Sequence, residues 1–200
     1  MDAVGKNKNQ GWSKTEKAII QALMGEEVVQ ETPGGKRRGM LPRAGDLAKR
    51  ARISRSTFYR HHHTTPEIIV DYNRVIMRVY RRDVKRRVKG HRGTEVRGLY
   101  LGMMLFVLKN KLVFGILFKY EGAKVVEQMI LLSKTRIEQV CRLPKHSEKV
   151  MKIYAKEVAG VFEMWGRLEF AENEAERVFH EIMYLTNTIG VRLGELGVKK

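Results

Sequence analysis

Helix-start signals recur along this chain, each followed by apolar residues three and four positions apart, and that pairing points to a stack of helices. Ser13-Lys-Thr-Glu16 is a capping box: the Ser hydroxyl can accept from the third helical amide while Glu16 reaches back. Ala18, Ile19, Ala22 and Leu23 follow at helical spacing, and the stripe fades near Gln30, ahead of the breaker Pro33-Gly34-Gly35. Pro42 suits the first turn of a short helix reaching about Arg50, and Ser54 suits the N-cap of another running to about His62 with Phe58 as its inward anchor. Thr64-Thr65-Pro66-Glu67 opens a long helix to about Lys89, with Ile68, Tyr72, Val75, Ile76 and Val79 on one face.

Five further helices are expected at about 94–109, 111–120, 123–142, 147–167 and 173–196, punctuated by Gly122, Pro144 and the polar stretch near Glu172. The expected fold is all-α, with about nine helices. Between Val107 and Phe118 the apolar alternation imitates a strand, but Lys109-Asn110-Lys111 argues for a junction of two helices.

At 200 residues the chain has room for one or two domains. It carries 39 Lys or Arg against 22 Asp or Glu, a net charge of +17, which favours a polyanionic partner. The excess is uneven. Residues 1–94 hold 22 Lys or Arg against nine Asp or Glu, and residues 95–200 hold 17 against 13. A basic N-terminal part joined to a nearly neutral C-terminal part is expected. The lone Cys141 allows no internal disulfide, and no apolar run reaches signal-peptide length at the start or bilayer length anywhere, so a cytoplasmic location without a membrane partner is expected.

The two short helices before and after Ala51–Ile53 form a helix-turn-helix. The second crowds six hydrogen-bond donors, Arg55, Ser56, Thr57, Tyr59, Arg60 and His61, onto one short helix, and a helix of that kind fits the major groove of B-DNA. Leu47-Ala-Lys-Arg-Ala-Arg-Ile-Ser-Arg-Ser-Thr-Phe-Tyr-Arg-His61, followed by Thr64-Thr-Pro-Glu-Ile-Ile69, resembles the DNA-binding domain of the TetR/AcrR family of transcriptional regulators. The resemblance covers roughly residues 13–80; beyond that it lies in helix number and length, and in Tyr154 to Phe170, which looks like the penultimate helix of many members.

The resemblance implies a three-helix DNA-binding domain over 1–64, a linking helix from about 65, and a helical ligand-binding and dimerisation domain over 65–200. Arg55 and Ser56 would face bases, Thr57 and Tyr59 would hold phosphates, Arg60 and His61 would flank the groove, and Ser54 would cap the helix and aim its positive end at the backbone. The family's turn glycine is Arg52 here, at a position that wants positive φ, at a cost of about 1 kcal/mol. Arg43 replaces a Thr that reaches phosphate, His62 replaces an aromatic residue, and Thr65 replaces a Lys. The loop Pro33–Met40 is longer than usual, and Lys36, Arg37 and Arg38 could supply compensating backbone contacts.

By the same resemblance the C-terminal part takes a small-molecule effector that releases DNA. Its pocket would draw on Tyr100, Met103, Met104, Phe118 and Met129, although bulky residues at helical spacing are more often plain core. One short recognition helix makes few base contacts, so a homodimer on a palindromic operator is expected, joined through Val161, Phe162, Trp165, Phe179, Ile182, Met183 and Ile189. The expected function is a transcriptional regulator of repressor type, a non-enzyme needing no cofactor and no metal.

Two other readings stand beside it. One is a helix-turn-helix protein without an effector, working through a protein partner near Arg86; a closed C-terminal core would favour it. The other is a metal-dependent hydrolase using His61-His62-His63, but adjacent histidines on a helix point in different directions. The basic run Arg81, Arg82, Lys85, Arg86, Arg87 and Lys89 reads first as a solvated face and second as a site for an anionic ligand or acidic partner.

Overall fold

Ser13 caps the first helix as its sequence directs: its Oγ accepts the Glu16 amide at 3.1 Å, and helix α1 runs Lys14–Met24 with Gly25 as C-cap. In the computed structural model, residues 13–25, 41–90, 96–140 and 148–197 are described. The rest of the α1 stripe to Gln30, and the basic residues Lys36, Arg37 and Arg38, lie outside them.

Among the described residues nine further α-helices follow: α2 Ala44–Arg50, α3 Arg55–His61, α4 Thr65–Gly90, α5 Val96–Lys109, α6 Lys111–Glu121, α7 Lys124–Leu132, α8 Lys134–Val140, α9 Glu148–Arg167 and α10 Ala175–Gly197. Among the described residues there is no strand. Each expected helical segment carries a helix, but 123–142 is divided at Ser133. The Ser133 hydroxyl bonds the Met129 carbonyl at 3.0 Å and also pairs with the Tyr80 hydroxyl at 3.0 Å, so the buried side chain is satisfied locally where the helix breaks. α5 and α6 meet at Asn110 with a 93° bend, and the Asn110 amide donates to the Phe106 carbonyl at 2.8 Å. No single described helix is long and apolar enough to cross a membrane.

One continuous apolar cluster runs from Ile19 and Phe58 through Tyr72, Phe114 and Met129 to Trp165 and Ile182. The packing does not pause at residue 64, because α1 lies on α6 as well as on α2. Gly115 lies at that crossing, where a Cβ would stand 2.9 Å from Met24 Cε, the far end of a flexible side chain. Nearby, Lys119 Nζ donates to the Leu23 carbonyl at 3.2 Å.

The C-terminal helices spend their large side chains inside this cluster. Trp165 Nε1 donates to the Ala171 carbonyl at 2.9 Å, and its ring meets Phe170 edge-on at 5.4 Å. Tyr100, Tyr154 and Thr186 form a buried hydroxyl chain that ends on the Ile182 carbonyl. The expected dimer contacts Phe162, Trp165 and Ile182 are therefore corrected: they are fully buried within one protomer, and Val161 is nearly so. Phe179 and Met183 are half-buried, with the Arg97 guanidinium 5.5 Å above the Phe179 ring; the Ile189 side chain lies outside the described residues. What the outer faces of α9 and α10 do expose is Ile153, Met164 and Tyr184.

The expected effector residues need the same correction. Tyr100, Met103, Met104 and Met129 are core, and Phe118 packs on Phe170 at 5.5 Å. None of the five lines the cavity found along α4.

Candidate nucleic-acid interface

The turn from α2 into α3 is a left-handed helix cap. The Ile53 amide donates to the Ala48 carbonyl at 3.0 Å and the Arg52 amide to Lys49 at 3.1 Å, the paired bonds of a Schellman motif. Arg52 sits at φ 53, the positive value for which glycine is preferred. The turn geometry is kept although the residue is not glycine.

α3 then starts on Ser54, whose Oγ accepts the Thr57 amide at 3.0 Å and contacts the Ser56 and Thr57 hydroxyls at 2.8 Å each. Phe58 is fully buried and pins the helix to the core. Its opposite side turns outward: Arg55, Ser56 and Arg60 are exposed, and Tyr59 is 50% exposed. Arg43, also exposed, occupies the N-cap of α2 without making a side-chain cap bond.

Gly45, which sequence reasoning passed over, helps set where Arg55 lies. A Cβ at position 45 would stand 3.3 Å from Arg55 Nη2, so the guanidinium rests across the first turn of α2. That contact joins the two helices at their exposed edge.

Two expected contacts are turned inward. Thr65 is only 4% exposed, and its hydroxyl donates to the Pro42 carbonyl at 2.7 Å, so it ties α4 to the start of α2 and is not available to a phosphate. Thr64 takes the cap instead: its Oγ1 accepts the Glu67 amide at 3.3 Å, while Glu67 accepts the His63 amide at 2.9 Å. His61, expected to flank a DNA groove, is half-buried with Nδ1 3.1 Å from Glu16 Oε1, so its ring is engaged with α1. Thr57 is half-buried and its hydroxyl is engaged by Ser54.

The group behind α3 was not legible as a unit. Glu16 does supply a capping amide, but its carboxylate is engaged by three other partners: His61 Nδ1, His62 Nε2 at 3.2 Å and the Tyr72 hydroxyl at 2.8 Å. Burial by itself would raise the Glu16 carboxyl, but the bonds from His62 and Tyr72 and the neighbouring imidazoles outweigh it and hold it below the ordinary Glu value. Burial, together with the Glu16 charge and bond, pushes the Tyr72 phenol far above its usual value. His62 Nδ1 faces Asp71 Oδ2 at 3.7 Å. Among the described residues no three His, Cys, Asp or Glu side chains converge as metal ligands.

The resulting surface can bind a polyanion through exposed guanidinium, hydroxyl and phenol groups held on a rigid, capped helix. Compared with protein-family models, with curated proteins and with solved structures, the chain matches none.

Proposed function

We propose that this chain is a sequence-specific DNA-binding transcriptional regulator of repressor type, acting as a symmetric homodimer on an inverted repeat. The observation that carries the reading is α3 itself: a capped helix anchored by buried Phe58, led by a left-handed turn, with Arg55, Ser56, Tyr59 and Arg60 facing outward. Such a helix can enter the major groove with Arg55 and Ser56 nearest the base edges and Tyr59 toward the phosphates. The net charge of +17 adds sequence-independent attraction to the duplex.

Selection from random duplex DNA, followed by salt titration of the winners, tests this. An enriched inverted repeat with half-sites about 34–36 Å apart supports it. Equal, weak retention of every duplex overturns it, and a monomeric mass at micromolar concentration with and without the selected DNA overturns the symmetric dimer.

A regulator without a small-molecule effector is favoured over an effector-released one by the closed packing around Tyr100, Met103, Met104 and Met129. A pocket for a small ligand generally encloses most of the ligand's surface, and these side chains are instead packed among their neighbours.

A further inference from the structure

The outer face of α4 and the adjacent end of α7 enclose a surface groove of ≈ 980 Å³. Its apolar lining comes from Val70 and Met77 of α4 and Leu131 and Leu132 of α7. Val70 is 50% and Leu132 40% exposed, and with Met77 and Leu131 they place four apolar side chains along one groove. Arg74, Arg78, Arg81 and Arg82, all exposed, complete the α4 side.

The charge is unbalanced. Arg74 pairs with Asp71 at 2.9 Å, but Arg78, Arg81 and Arg82 make no ion pair among the described residues. Glu121 is the one carboxylate lining the groove among those residues, and its Oε2 already receives the Asn73 amide at 3.4 Å. Val70, Arg74, Met77 and Arg81 recur at helical spacing, a stripe about 17 Å long at 1.5 Å per residue, the length of three helical turns.

We infer that this groove is a docking site for an acidic, amphipathic helix of a partner protein. Apolar side chains at i, i+3, i+4 and i+7 would meet Val70, Met77, Leu131 and Leu132, and flanking carboxylates would meet Arg78, Arg81 and Arg82. Other occupants fit less well. A second copy of this chain on a two-fold axis would set arginines against arginines. Arg78 lies about 20 Å along α4 from Thr65, remote from duplex seated on α3. A small anionic amphiphile would be left open to water along a groove of this shape. The inference is independent of DNA binding.

The test uses the full chain and a fluorescent peptide of about 16 residues, Leu at the helical anchor positions and Glu at the flanks, followed by anisotropy at about 0.15 M salt. Saturable binding is expected, weakened roughly tenfold or more by Arg78→Gln with Arg81→Gln and severalfold by Leu132→Gln, with circular dichroism unchanged. A scrambled peptide of the same composition should bind far more weakly. No binding, equal binding of the scrambled peptide, or an unchanged affinity in both variants overturns the inference. Displacement by equimolar dodecanoate would assign the groove to a small amphiphile, and a duplex-binding salt slope that falls by about two in the double variant would assign it to DNA; either result also overturns it.

Discussion

The Tyr72 hydroxyl on α4 donates to the Glu16 carboxylate on α1 at 2.8 Å, across 56 positions of the chain. The same carboxylate holds His61 and His62 at the end of α3, so one buried acid ties α3 to both α1 and α4.

Removing that charge has a predictable cost. Glu16→Gln leaves two imidazoles without their anionic partner and is expected to lose about 1–3 kcal/mol, with Tyr72→Phe costing about 1 kcal/mol. Because the folded carboxyl lies below its ordinary value, its contribution is complete above about pH 4.3 and is lost as pH falls through the lower folded value. Denaturant unfolding of the full chain should show wild type losing stability below about pH 4 and Glu16→Gln losing less over that interval.

At Arg52 the backbone conformation and the side chain are in conflict. With φ at 53, Arg52→Gly should stabilise the chain by about 1 kcal/mol, whereas Arg52→Val should destabilise it, since a branched Cβ is worse still in that region. Urea midpoints of the two variants, moving in opposite directions, are the check.

If α3 enters DNA as proposed, base-facing and phosphate-facing roles separate by measurement. Arg55→Ala is expected to cost about 1–3 kcal/mol on the selected duplex and to relax discrimination at one position. Tyr59→Phe should weaken all duplexes alike. Competition titrations with single-base variants of the selected site distinguish the two patterns.

In the C-terminal packing, Trp165→Ala empties a fully buried site and strands the Ala171 carbonyl. An unfolding cost of about 3–5 kcal/mol is expected. A cost under about 1 kcal/mol would argue that this region is loosely packed.

Local signals were readable because they act over three or four residues. Ser13, Ser54 and Thr64 each cap the helix their position announces, and Phe58 points inward as its place among polar neighbours requires. Helix α3 could therefore be placed, with its outward residues, before any packing was known. The inward turn of Thr65 and His61 was not readable, because their partners, the Pro42 carbonyl and Glu16, are 23 and 45 positions away. Nor could spacing tell a ligand pocket or dimer face from core: Tyr100, Met129 and Trp165 satisfy the same helical period in all three settings.

The amino-acid order by itself determined the helices, their caps and the donor-rich face of α3, since caps and apolar periodicity are short-range properties of the backbone. Only the tertiary structure decided which apolar stripes meet within the chain, that Glu16 serves α3 and α4, and that arginines of α4 share a groove with leucines of α7. Those outcomes depend on which distant surfaces come together, and a linear pattern carries no measure of that.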